Sequence, residues 1–391
     1  MLLTQKPIIF RQNILPMTIG IFKEPSFETR VSLLPEAVAL LTKQSVTIQV
    51  ERNAGRLACA SDQLYQSKSI NVVERAQLLN TSDIILSIHP LNKQDIQQLK
   101  TNVILIGVYQ PLFNFDLMKE WAEKNSTVFS LDMIPRSTRA QSMDVLSSQA
   151  NIAGYKAVLE AANIYPRYFP MLMTAAGSIT PAKVLILGAG VAGLQAIATA
   201  RRLGAVVEVF DTRPAVKEEV MSLGAKFIEV DGAADASKAG GYAIEQTEEY
   251  KQKQQQKIAD SISKADIVIT TAQIPGRKAP ILVTDEMLHA MKPGSVIVDL
   301  AAATGGNTLQ TKNDETVHYN DITIIGNSNL ASTMPGDASK LYGKNVLNFL
   351  QLIITKDGNI NLNFGDDIVA GCCITHNGKV VNEKVLSLII N

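Results

Sequence analysis

Residues 183–193 read Lys-Val-Leu-Ile-Leu-Gly-Ala-Gly-Val-Ala-Gly, so five strand-like residues run directly into a GxGxxG loop. An Ala-rich helical stretch follows, and Asp211 ends the next apolar run, 18 residues beyond Gly193. This spacing leaves few folds open. Gly188 permits a tight turn, Gly190 lets the backbone approach a pyrophosphate, and Gly193 lets a helix lie close against the strand. Val191 and Ala192 open that helix, whose free N–H groups and partial positive charge suit phosphate oxygens. The pattern predicts a βαβ unit that binds a dinucleotide. The same fold carrying a dead site is the alternative reading.

Asp211 bears on which dinucleotide. A carboxylate there accepts hydrogen bonds from both adenosine ribose hydroxyls and repels a 2′-phosphate, which favours NAD(H) over NADP(H). Arg213, in the run Asp211-Thr212-Arg213-Pro214, weakens that preference, because an Arg can serve a 2′-phosphate. Ligands bind outside the carboxyl ends of parallel strands. Two further loops therefore belong at the crevice: Thr270 to Arg277, with Gln273, Pro275 and Gly276, and Asp299 to Gly306.

The rest of the chain alternates strands with helices, which means βαβ units and parallel sheets. Strands are expected at Thr18–Phe22, Val46–Val50, Ile84–Ile88, Val103–Val108 and Thr127–Leu131, with helices at Pro35–Lys43, around Val73–Leu79, Lys93–Leu99 and Asn114–Lys124. The rhythm restarts at Lys183, with strands at Val206–Phe210, Lys226–Glu229, Ile267–Thr271, Val296–Leu300 and Thr323–Ile325, and helices at Val191–Leu203 and Pro214–Leu223. Two long helices, Ser142–Ala162 and Ala338–Ile354, bracket this second run, and the tail Asn359–Ile390 reads as short strands and turns. The expected fold class is α/β, with two Rossmann-like, doubly wound parallel-sheet domains linked by long helices, the second inserted in the first. Residues 1–16 form a tail, 17–146 and 331–391 the first domain, and 147–330 the nucleotide-binding domain. The stretch Gly232–Lys257 breaks the rhythm. It places Tyr242 behind Gly240-Gly241, on a mobile stalk.

Composition excludes several classes. Lys+Arg and Asp+Glu are both 37, so the charge footprint of a nucleic-acid binder is missing. An apolar fraction of 46% with only 5% aromatics suits strands buried on both faces. Three cysteines and four histidines without a cluster support neither a disulfide framework nor a structural zinc site, and a reducing compartment is the simpler reading. The longest apolar stretch, Val184–Ala200, is interrupted by glycines and Gln195, so no transmembrane segment is expected. The leader before Met17 is too broken for a secretory signal; it reads as a poorly ordered tail or an upstream start, with a weak organelle-type leader as the alternative.

The run from Arg136 to Tyr155 contains Arg136-x4-Gln141-x2-Asp144, followed by Ser147. With it the chain resembles the NAD(H)-binding first domain of proton-translocating nicotinamide nucleotide transhydrogenase. The likeness extends to Gly20-Ile-Phe-Lys-Glu-Pro, Glu28-Thr-Arg30-Val, the glycine loop and its helix, Asp211-Thr-Arg-Pro, Gly240-Gly-Tyr242, Asp299-Leu-Ala and Gly305-Gly-Asn. It implies the alanine dehydrogenase fold, with NAD in the cleft between two lobes. It further implies hydride transfer from bound NADH to NADP⁺, with NADP(H) held on a partner subunit, coupled to proton movement through a membrane-spanning subunit. Arg136, Gln141, Asp144 and Ser147 would surround the nicotinamide, and Tyr242 would close over the nucleotide. The resemblance also implies a homodimer, cytoplasmic and peripheral on the bacterial inner membrane.

These side chains make chemical sense there. Gln141 and Ser147 can bond the carboxamide, Asp144 can favour the cationic ring, and Arg136 can pair with Asp144 or a phosphate. None need be a general acid or base, because the cofactor carries the chemistry. Without the resemblance, Arg136 and Asp144 read as an ordinary ion pair. Alanine dehydrogenases share the fold but use a Lys and a His in the first lobe. Here the corresponding segments read Leu86-Ser-Ile-His-Pro90 and Gly107-Val-Tyr-Gln-Pro111, so Gln110 stands near the expected His. Amino-acid oxidation needs a group that takes up protons near neutral pH. Gln cannot, and His89, beside Pro90, reads as structural. An alanine-type dehydrogenase and a non-catalytic NAD(H)-sensing protein remain the alternatives.

Overall fold

The computed structural model describes residues 16–41, 46–230, 247–274 and 276–390. Tyr242 and Pro275 therefore lie outside the described residues. Six strands open the chain: β1 (Thr18–Ile21), β2 (Thr47–Glu51), β3 (Asn71–Val73), β4 (Ile84–Leu86), β5 (Ile104–Gly107) and β6 (Thr127–Ser130). A short antiparallel hairpin follows, β7 (Leu172–Thr174) and β8 (Gly177–Ile179). The second run holds β9 (Lys183–Leu187), β10 (Val206–Phe210), β11 (Lys226–Phe227), β12 (Ile267–Thr270), β13 (Val296–Asp299), β14 (Thr316–Tyr319) and β15 (Ile322–Ile325). The last strands are β16 (Cys373–His376) and β17 (Lys379–Val380).

They assemble into two large sheets. The first has the order β17-β16-β6-β5-β4-β1-β2-β3 and the second β11-β10-β9-β12-β13-β15-β14. All pairs are parallel except those made by β16, β17 and β14. β16 and β17 bring the end of the chain back to the first sheet, so the second α/β unit is inserted in the first. Among the parallel strands the order reverses between β1 and β4 in the first sheet and between β9 and β12 in the second, and such switch points open a crevice at the carboxyl ends.

Period-two alternation explains the burial. Ile84, Leu86, Ile104 and Ile106 face one core while Ile85 and Leu105 face another. In the second sheet Val184, Ile186, Ile267 and Ile269 lie on one side, and Leu185, Leu187 and Val268 on the other. With both faces covered, the strands must be apolar throughout.

Two long helices join the lobes. Val145–Ile164 places Val145 in the first core and Ala157, Val158 and Ala161 in the second. Pro335–Ile353 packs Tyr342, Phe349 and Leu350 into the first core.

Several local expectations need correction. The helix expected from Ser142 starts at Val145, because the Asp144 side chain caps it and Gln141–Met143 forms a 3-10 turn. Asn71–Val73 is a strand, and the helix expected around Val73–Leu79 runs over Arg75–Thr81. The tail contains helices Asp367–Cys372 and Glu383–Ile390 as well as strands. The hairpin β7–β8 and the edge strand β14 were not expected; exposed residues in them interrupt the apolar pattern. All three cysteines are free thiols. Among the described residues no helix is long and apolar enough to cross a membrane.

Candidate functional site

The glycine loop connects β9 to helix Val191–Arg202. Gly188 has φ +110°, in the region where a side chain is strained, and a β-carbon there would strike Thr271 Oγ1. A β-carbon at Gly193 would run into the Gly188 carbonyl oxygen. At Gly190 it would meet nothing within 4 Å, so the space above the turn is open. Gly190 is also the N-cap residue of the helix, and no side chain caps it. The uncapped helix start at Val191 and Ala192 and the open cradle fit a pyrophosphate.

Asp211 follows β10 and is buried. Its Oδ2 accepts from the Ala189 N–H at 2.7 Å and from Arg213 Nη2 at 2.7 Å. Its Oδ1 accepts from the Arg213 N–H at 2.8 Å and from Arg213 Nε at 2.9 Å. The Asp211 bond raises the Arg213 guanidinium above its ordinary value despite partial burial. Thr212 lies half-buried between them.

The loop after β12 braces the glycine loop, since Thr271 Oγ1 donates to the Gly188 carbonyl at 3.1 Å. Gln273 Nε2 donates to the Leu300 carbonyl at 2.6 Å, so its amide ties this loop to the one after β13. Gly276 has φ +68°, and a β-carbon there would lie 2.9 Å from Leu112 Cδ1. Leu112 follows β5, so at Gly276 the second lobe touches the first. Asn307 organises these loops. Its Nδ2 donates to Ala272 O at 2.9 Å and Pro280 O at 2.8 Å, while its Oδ1 accepts from Ala272 N at 3.1 Å. Sequence reasoning assigned Asn307 no role; its place behind Gly305-Gly306 was the available signal.

The segment Arg136 to Ser147 lies between β6 and the long helix. Arg136 and Gln141 are exposed, while Asp144 and Ser147 are half-buried. Both Asp144 oxygens serve Ser147: Oδ1 accepts from its N–H at 2.9 Å and Oδ2 from its hydroxyl at 2.6 Å. That is an N-cap, stabilising the helix start by about 1 kcal/mol. The loop is pinned at two other points. Arg139 forks onto Asp366 at 2.6 and 2.7 Å and also bonds Asp367. The Arg139 bonds bring the Asp366 carboxyl down to about 2. The Ser142 carbonyl accepts from Asn345 Nδ2 at 2.8 Å and from Asn348 Nδ2 at 2.9 Å. Arg139, Asn345 and Asn348 escaped the sequence reading, because their partners lie some 200 residues away.

The first-lobe crevice holds a buried ionic cluster. Glu24 follows β1 and accepts from the Ile88 N–H at 2.6 Å and the His89 N–H at 3.0 Å. Burial pushes its carboxyl up to about 8. Glu28 bonds Arg30 at 2.6 Å and His89 Nε2 at 2.7 Å. Burial pushes the Glu28 carboxyl up, and these bonds more than offset that, leaving it below the usual range. Arg30 Nη1 reaches Gln149 on the long helix at 2.8 Å. His89 thus has a partner no local reading supplied, and it also packs edge-on against Phe27.

A model of the alanine dehydrogenase/PNT N-terminal domain matches residues 20–153, and one of the C-terminal domain matches residues 157–383. The chain is 44% identical over 360 residues to the first portion of the NAD(P) transhydrogenase alpha subunit of Rickettsia prowazekii, covering 91% of this chain and 93% of that protein. The solved transhydrogenase of Sinorhizobium meliloti is 44% identical with a TM-score of 0.86, over 93% of this chain and all of that one. An L-alanine dehydrogenase structure shares the fold, with a TM-score of 0.79 at 22% identity over 96% of this chain and 99% of that one. With both halves matched and identity at this level, the chain belongs to the alanine dehydrogenase/PNT family.

Proposed function

We propose that this chain is the NAD(H)-binding alpha subunit of a proton-translocating transhydrogenase, an oxidoreductase component. The observation that carries the reading is the open, uncapped cradle at Gly190 with the Asp211 carboxylate beside the next strand. The bound nicotinamide supplies the hydride. The chain's own residues bind and orient. Gly188, Gly190, Val191, Ala192 and Gly193 receive the pyrophosphate, and Asp211, flanked by Thr212 and Arg213 at the cofactor site, receives the adenosine ribose. Gln273, Pro275 and Gly276 contribute to cofactor binding. Gln141, exposed on its loop, offers its amide to the carboxamide, and Arg136 offers a cation. Asp144 presents a negative charge behind Ser147, and Tyr242 covers the nucleotide.

The chain divides into 17–146 with 331–391 and 147–330, a reading supported by the grouping of β1–β6 with β16 and β17 in one sheet and β9–β15 in the other. NADP(H) is held on a partner subunit, and a membrane-spanning subunit couples transfer to proton movement. The chain acts as a homodimer, peripheral on the cytoplasmic side of the bacterial inner membrane. In the first-lobe crevice Glu28 bonds both His89 and Arg30, which engages His89 in an ion-pair cluster.

The test is reconstitution. The isolated chain binds NADH in preference to NADPH and transfers hydride only when an NADP(H)-binding transhydrogenase subunit is added. Steady alanine-dependent NAD⁺ reduction by the chain alone would overturn the proposal in favour of an amino-acid dehydrogenase. NADH binding without transfer to any added partner would favour a sensing role.

A further inference from the structure

An ionised carboxylate has about four lone-pair positions. On Asp211 all four are taken: Ala189 N–H and Arg213 Nη2 on Oδ2, Arg213 N–H and Nε on Oδ1. The two backbone donors aim the carboxylate and cannot leave without unwinding the turn. The two guanidinium donors belong to a side chain on the strand-end loop, 20% exposed, rather than to the backbone of the turn. Rotation would free one acceptor position on each oxygen. A ribose diol presents two hydroxyl donors.

We propose that Arg213 competes with the adenosine ribose for Asp211 and thereby sets both the affinity for NADH and its margin over NADPH. The inference rests on the nucleotide reading above and adds a role for Arg213 opposed to simple binding. Displaced from the carboxylate, the guanidinium stays next to the 2′ position. Beside a 2′-hydroxyl it is a competitor that must be held off. Beside a 2′-phosphate it becomes a counter-charge that softens the repulsion from Asp211. One side chain therefore weakens NADH and shelters NADPH.

The experiment titrates wild type, Arg213→Ala and Arg213→Lys with NADH and with NADPH by nucleotide fluorescence, with thermal melts alongside. Lys keeps the charge but lacks the planar fork. Removing a partly exposed charge-assisted pair changes the equilibrium by about fivefold. Arg213→Ala is expected to bind NADH about fivefold tighter and NADPH no tighter, so the ratio widens from both sides. Arg213→Lys is expected to fall between, and it carries the test if Arg213→Ala melts early. Unchanged or weaker NADH binding by these variants, or an unchanged or narrower ratio, would overturn the competition while leaving the nucleotide reading intact. If wild type itself binds neither nucleotide, or binds NADPH as well as NADH, the wider reading fails instead.

Discussion

Asn345 donates its side-chain amide to the carbonyl of Ser142 across 203 positions of sequence, at 2.8 Å. Asn348 adds a second bond at 2.9 Å, so a helix of the first core grips the turn that carries Gln141. The Asn345 Oδ1 is buried and meets no partner among the described residues. Such an arrangement spends stability on placing a loop. Asn345→Ala is expected to lower hydride transfer about tenfold while NADH affinity changes less than twofold, a displacement cost of about 1.4 kcal/mol. The Asn345→Ala/Asn348→Ala pair should lose more. Single-turnover rates with titrated affinity check this, and equal losses in both would mark the bond as merely structural.

At Gly276 the second lobe touches the first. At φ +68° a β-carbon costs about 1–2 kcal/mol and would sit 2.9 Å from Leu112 Cδ1. Gly276→Ala should slow transfer, and adding Leu112→Ala should recover the steric part but not the backbone part. Transfer rates for the two variants measure it. No recovery would mean that the backbone strain acts alone.

Asp144 holds a structural and an electrostatic role that substitution can separate. Asp144→Asn keeps an acceptor for the Ser147 N–H, so helix stability should hold. Asp144→Ala removes the cap and should cost about 1 kcal/mol in a denaturant melt. If the charge matters at the nicotinamide, both variants slow transfer alike. A wild-type rate for Asp144→Asn would leave Asp144 as a cap only.

Glu24 makes stability depend on pH with an unusual sign. Its carboxyl is raised from 4.5 to about 8 in the fold, because burial disfavours the charge. The folded chain therefore binds more protons than the unfolded chain across that window, and stability falls as pH rises from 4.5 toward 8. The loss is on the order of a few kcal/mol. Glu28, held low, titrates below this window and contributes stability lost on acidification. Urea midpoints from pH 5 to 8 should decline in wild type, and Glu24→Gln should flatten the slope. A parallel slope in the variant would assign the decline elsewhere.

The hairpin β7–β8 stands outside both large sheets and exposes Met173 at 75% and Ile179, with exposed Met171 just before it. An isolated two-stranded hairpin is marginal in water, so a partner surface is expected over it. For the proposed homodimer, Met173→Glu should shift the sedimentation profile toward monomer with the fold intact. An unchanged profile would place the dimer contact elsewhere.

What contiguous residues could dictate was legible from the sequence. The three glycines after β9, the apolar runs of the parallel strands and Asp211 behind β10 are local demands of turn geometry, burial and spacing. Each is met or failed within about 30 residues. The same locality explains the misplaced helix start at Ser142: composition continued across a boundary that one capping side chain sets. The tertiary structure alone decided the rest. Asn345 reached Ser142, Arg139 reached Asp366, Glu28 reached His89, and Glu24 lost its water, because chain segments far apart were packed together. Hydrogen-bond partners and desolvation belong to a residue's surroundings in space. No window of sequence contains them until the two sheets and their connecting helices are assembled.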